Sequence, residues 1–164
     1  MVQACICTTR YPIKLALSIY RETFFSKLMK IRLDVWRLLS QIKADIILVD
    51  FHAEATSEKL GMGYFLDGKV SLVFGTHTHV QTADEKILPG GTGYITDIGM
   101  CGPSHSVLGV TPELAIRRMR THLPTRFENA SGPCSLSGIV ADIDLATGKT
   151  TSIQRIFAVS SKEV

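Results

Sequence analysis

The sequence predicts an α/β protein built around parallel strands. Three observations carry that expectation. Asp45-Ile46-Ile47-Leu48-Val49-Asp50 and Val70 to Phe74 are continuous apolar runs, a helix-length segment separates them, and each is followed at once by a segment containing histidine. Apolar runs without polar alternation fit strands covered on both faces, as in a β-α-β unit.

The elements follow in order. Residues 12–43 read as helix, because Leu15, Ile19, Phe24, Leu28, Ile31 and Val35 recur near helical spacing with Lys and Arg between them. Residues 10–43 hold eight basic and two acidic residues, so the net charge of +3 for the whole chain conceals an acidic remainder. A basic amphipathic helix fits a membrane surface or nucleic acid, and fits equally a helix packed on a sheet with a solvated basic face. After the first apolar run, Thr56-Ser57-Glu58-Lys59 opens a short helix to about Phe65, and Asp67-Gly68 is a turn into the second run. Lys86-Ile87-Leu88, a Pro89-Gly90-Gly91 turn and Tyr94-Ile95-Thr96 form a hairpin. Gly99 through Gly109 is a loop. Thr111-Pro112-Glu113 starts a helix, with a capping residue and a proline at its first position, that ends near His122 and Pro124. Leu136 to Ile143 and Thr151 to Phe157 are strands joined by an Ala146-Thr147-Gly148-Lys149 turn.

At 164 residues, 45% apolar and 20% charged, the chain has the composition of one ordinary globular domain. No apolar run reaches the roughly 18 residues that a membrane span requires, and the N-terminus does not read as a signal peptide. Cys5, Cys7, Cys101 and Cys134 form no Cys-x-x-Cys pair, so neither a zinc ribbon nor a thioredoxin-like motif is present. They read as reduced thiols of a cytoplasmic protein.

The chemistry concentrates after the two apolar runs. His52 follows the first, and Gly75-Thr76-His77-Thr78-His79 follows the second. Functional groups of open α/β sheets gather at the C-terminal ends of parallel strands, so His52 is expected beside the His77/His79 pair. Residues i and i+2 of an extended segment share a side. The pair can therefore grip one ion, or each histidine can hold one of two adjacent ions. Imidazole suits zinc, iron and manganese. His105 and His122 lack such a setting, and His122 reads as a cation at a helix C-terminus.

Three segments carry a family resemblance. They are Val49-Asp50-Phe51-His52-Ala53-Glu54-Ala55-Thr56-Ser57-Glu58-Lys59, then Gly75-Thr76-His77-Thr78-His79-Val80-Gln81-Thr82-Ala83-Asp84-Glu85, and then Thr96-Asp97-Ile98-Gly99-Met100-Cys101-Gly102-Pro103. Together they closely resemble the bacterial YmdB-like branch of the calcineurin-like metallophosphoesterases, over about residues 44–156. The resemblance implies the C-terminal half of an αββα sandwich and 2′,3′-cyclic nucleotide 2′-phosphodiesterase chemistry. It implies a centre of two divalent ions (iron, manganese or zinc), with His52 and His77 on one metal and His79 on the other. Such a pair clamps a phosphodiester and lowers the pKa of a bridging water. Asp50, Glu54 and Asp97 become candidates for orienting imidazole. Thr76 and Thr78 either approach phosphate or serve the loop. The expected ligand is a small phosphodiester or cyclic nucleotide, away from the membrane. Nucleic acid is not an expected partner, and homo-oligomerisation stays open.

The family's remaining ligands lie in its N-terminal half and include a Gly-Asn-His motif, whose histidine protonates the leaving group. The one asparagine here, Asn129, precedes Ala130, so that motif is absent and no catalytic residue is identified. Three histidines without a bridging carboxylate hold two cations poorly, so one ion or none is a further expectation. The expectation is a truncated or frame-disrupted member. In it, residues 44–164 form the family-like region, and a basic helical segment, residues 1–43, replaces the missing half. Buried strands would then keep open edges and exposed apolar faces. The competing readings are a mononuclear three-histidine zinc hydrolase and a non-catalytic module pairing through its sheet edge or basic helix.

Overall fold

The computed structural model describes residues 15–21, 41 and 43–163, with side chains described within residues 43–160. Five strands form the main sheet: β1 (Leu15–Arg21), β2 (Ile46–His52), β3 (Leu72–Thr76), β4 (Lys86–Ile87) and β5 (Gly93–Ile95), in the order β1-β2-β3-β5-β4. The first four in that order run parallel, and β4 closes the edge antiparallel to β5. Helix α1 (Thr56–Leu66) connects β2 to β3, so the β-α-β unit forms as its apolar runs dictate. A second sheet contains β6 (Gly102–Pro103), β7 (Pro133–Ile143) and β8 (Thr150–Glu163), all antiparallel. Helix α2 (Pro112–Thr121) precedes β7.

The helix expected over residues 12–43 is corrected at Leu15–Arg21, which is a strand paired in parallel with all seven residues of β2. The reason lies in an ambiguous period. Leu15 and Ile19 are four apart, as on a helix, but Leu17 stands between them and Ala16, Ser18 and Tyr20 alternate with them. That alternation is also a strand pattern, and the backbone ladder along β2 decides between the two. The rest of that expectation, at residues 12–14, 22–40 and 42, lies outside the described residues. One consequence is that β2 has no open edge on this side.

Both faces of the sheet are covered. On one face Met62 and Leu66 of α1 pack with Val49, Phe51, Val73, Leu88 and Tyr94. On the other, Ile46, Leu48, Leu72, Phe74 and Ile95 meet Ile139, Ala141, Ile143 and Ile153 of the second sheet. The layers are thus helix, sheet, sheet. Each fully buried side chain of this size contributes about 1.5–3 kcal/mol, which fixes the sheet as a rigid base for the residues at its strand ends. The expected exposed apolar surface lies on the second sheet, where Leu136, Val140 and Ile156 are all exposed. Thr111 does not cap α2 with its side chain: its hydroxyl donates to the Glu128 carbonyl instead. Among the described residues, no helix is long and apolar enough to cross a membrane.

Candidate functional site

The parallel register sets the site. It places the last residue of β2, His52, directly opposite the last residue of β3, Thr76. From there a hydrogen-bonded chain crosses the strand ends. The buried Thr76 hydroxyl donates to Asp50 Oδ1 at 2.9 Å and lies 3.0 Å from His52 Nδ1. His52 Nε2 in turn lies 3.0 Å from His77 Nδ1, with the two rings edge to face and their centroids 4.9 Å apart.

Counting protons along this chain assigns a tautomer. Thr76 has a single hydroxyl proton, and the Asp50 carboxylate takes it. His52 Nδ1 must then donate to Thr76 Oγ1, which leaves the Nε2 lone pair facing His77. Asp50 therefore orients the His52 imidazole through Thr76, an arrangement typical of metal-ligating histidines. Burial pushes the Asp50 carboxyl above its ordinary value; the Thr76 hydrogen bond and the neighbouring His52 oppose that rise, and the Asp97 charge adds to it.

His77 and His79 do not lie on an extended segment. β3 ends at Thr76, and the two histidines adopt φ of 119° and 66°. The expectation that i and i+2 share a side is corrected for this reason. His77 is exposed and reaches His52, whereas His79 Nδ1 is buried and has no hydrogen-bond partner. Among the described residues, no three His, Cys, Asp or Glu side chains gather closely enough to hold one ion. The pair His52/His77 is what the fold brings together. Non-glycine residues at positive φ cost about 1–3 kcal/mol each and persist only where the surroundings enforce them.

Those surroundings are specific. Asp97 is fully buried; its Oδ2 accepts the Thr78 backbone N–H at 2.9 Å and the Lys59 ammonium at 2.9 Å, and its Oδ1 accepts the Gly99 N–H. Asp84 accepts bonds from the Thr82 hydroxyl and from both the backbone and hydroxyl of Thr96. Burial works to raise the Asp84 carboxyl, but these bonds and nearby Lys86 hold it below its ordinary value. Gln81 reaches across to the Gly138 carbonyl of β7 at 2.8 Å. Gly75 permits the close approach of the strand ends, because a Cβ there would lie 1.8 Å from the Thr96 carbonyl oxygen. Thr78 serves the loop, donating to the Val80 carbonyl. Glu54 is exposed beyond the end of β2. Sequence patterning singled out neither Lys59 nor Asp84, since a lysine in a short helix and an acid in a loop both read as solvated.

The residues present fit a divalent metal in part. His52 and His77 offer two imidazoles at one point, and the orphaned Nδ1 of His79 is a further unsatisfied donor set aside in the same loop. Structural and catalytic zinc sites take three or four protein ligands, so further ligands must come from beyond this pair.

The family model described as YmdB-like protein matches residues 16–156. That span begins inside the region where no family likeness was expected, and it includes most of β1. The chain is 58% identical over 110 residues to the 2′,3′-cyclic-nucleotide 2′-phosphodiesterase of Bacillus subtilis, covering 67% of this chain and 42% of the relative. Among solved structures, a phosphatase of Mycoplasma pneumoniae superposes with a TM-score of 0.73 at 40% identity, over 78% of this chain and 46% of that one. A Thermus thermophilus protein without assigned function gives a TM-score of 0.75 at 34% identity, over 88% and 56%. The chain thus spans about half or less of the relatives named first.

Proposed function

The chain belongs to the YmdB-like protein family, and from that premise we propose that it carries the histidine wall of a metal-dependent phosphodiesterase centre. The single observation behind this reading is the approach of His52 Nε2 to His77 Nδ1 at the C-terminal ends of adjacent parallel strands. His52 and His77 would hold one divalent ion, iron, manganese or zinc, and His79 would serve a second. Bound metal supplies Lewis-acid charge stabilisation and an acidified water for phosphodiester hydrolysis. The chain's own residues supply orientation: Asp50 and Thr76 present the Nε2 lone pair of His52, and Asp97 holds the loop.

The substrate class that best fits is a small cyclic phosphodiester, the class named for the Bacillus relative. The helix-sheet-sheet layering is consistent with one half of an αββα sandwich. On this reading the remaining ligands and the leaving-group acid would come from the half of the relatives that this chain does not cover, and hydrolysis by this chain alone would be impaired. Cytoplasmic residence and self-association are part of the same proposal. Metal content after reconstitution with manganese, iron or zinc tests it. Binding should be lost in His77→Ala and kept in His105→Ala. Equal binding by both variants would exclude the site.

A further inference from the structure

We propose that the buried Lys59–Asp97 pair is a positioning clamp that holds the histidine loop in its strained conformation. Lys59 and Asp97 lie 2.9 Å apart with their side chains 1% and 0% exposed. A buried ion pair gives little net stability, because desolvating two charges offsets most of their attraction. Its placement needs another account, and the rest of the Asp97 contacts supply one. The same oxygen that meets Lys59 accepts the N–H of Thr78, the residue between the two histidines. The other oxygen accepts the N–H of Gly99, and the Asp97 backbone N–H is held by the Thr82 hydroxyl. Asp97 therefore joins α1, the end of β5 and the loop at one point.

The chemistry of the pair explains the choice of residues. A neutral acceptor at 97 would bond the Thr78 N–H more weakly than a carboxylate does. A carboxylate there without a cation would be buried and unpaired, which is costly. Lys59 makes the charge tolerable, and the charge fixes Thr78. With Thr78 fixed and β3 ending at Thr76, His77 has little choice but its φ of 119°, which brings its ring to His52. The functional consequence rests on the metal-centre reading; the clamp itself does not.

Amide hydrogen exchange in the full-length chain tests this directly. Thr78 is an exposed residue, so protection of its amide reports the bond to Asp97. In Lys59→Met, its protection should fall at least tenfold more than that of Val73 in the core of β3, and the histidine ring signals of His52 and His77 should lose their mutual contact. The double variant Lys59→Met/Asp97→Asn, which removes both charges and keeps an acceptor, should recover part of both. Met62→Ala, a buried change on the same helix, should affect Thr78 and Val73 together. If Lys59→Met lowers Thr78 and Val73 equally, the clamp is refuted and Lys59 only stabilises the fold. Should Lys59→Met fail to fold, Asp97→Asn alone must show the selective loss at Thr78. Cobalt titration of the unmodified chain separates the two readings, since absence of binding there overturns the metal centre and leaves the exchange result to judge the clamp.

Discussion

Thr76→Val is the substitution whose effect the geometry specifies most fully. Valine keeps the shape and removes one hydroxyl. Thr76 is 1% exposed, and Asp50, whose carboxylate it serves, is 6% exposed, so water does not replace the missing donor. A hydrogen bond to a charged group contributes about 1.5–3 kcal/mol, and the neutral bond from His52 Nδ1 about 1 kcal/mol. The methyl gained returns about 0.8 kcal/mol. The net loss is about 2–3 kcal/mol, which lowers the urea midpoint by about 1–2 M at the unfolding slope of a small domain. The same variant releases the His52 tautomer. In the unmodified chain, long-range proton–nitrogen spectra should show His52 protonated at Nδ1; in Thr76→Val that preference should disappear. An unmodified chain protonated at Nε2 of His52, or a variant with an unshifted midpoint, would refute the proton count on which the orientation of His52 depends.

Two other expectations concern the frame of the site. Gly75→Ala places a methyl 1.8 Å from the Thr96 carbonyl oxygen and 2.6 Å from the Lys59 side chain. It should destabilise the chain by about 3 kcal/mol, at the upper end of overpacking effects, and calorimetry would show it as a lowered Tm. Hydrogen bonds from Thr96 and Thr82 hold the Asp84 carboxyl below its ordinary value in the folded state. Its stabilising contribution is therefore complete above about pH 4 and is lost as pH falls through the folded value. Asp84→Asn should be less stable at neutral pH and should lose less of its remaining stability on acidification, as read from Tm across that range.

Much of the fold was legible because burial leaves plain traces. β2 and β3 stand out as unbroken apolar runs, the β4–β5 hairpin carries its Pro-Gly-Gly turn, and β7 and β8 flank a turn at Gly148. β1 was not legible, because Leu15, Leu17 and Ile19 satisfy a strand and a helix alike until a neighbour chooses between them. At the site, strand-end placement located His52 and His77 correctly beside each other. The positive φ at His77 and His79 was hidden, since such backbone at a histidine has no local signature. The support of the loop was hidden for a different reason. Lys59 and Asp97 are 38 residues apart and neither is apolar, so periodicity is silent about their meeting. Their role appears only once α1 and the end of β5 are docked.

The positive φ angles at His77 and His79 carry an evolutionary consequence. Glycine occupies such backbone without steric penalty, so at both positions stability by itself favours glycine over histidine, by roughly 1–2 kcal/mol each. Selection on folding alone would drift these codons toward glycine, and an engineer ranking variants by thermostability would make the same exchange. Either route would yield a sturdier protein with its imidazoles erased. On the metal-centre reading proposed above, folding and chemistry pull this loop in opposite directions, and histidine at both positions is the trace that function would leave in the sequence.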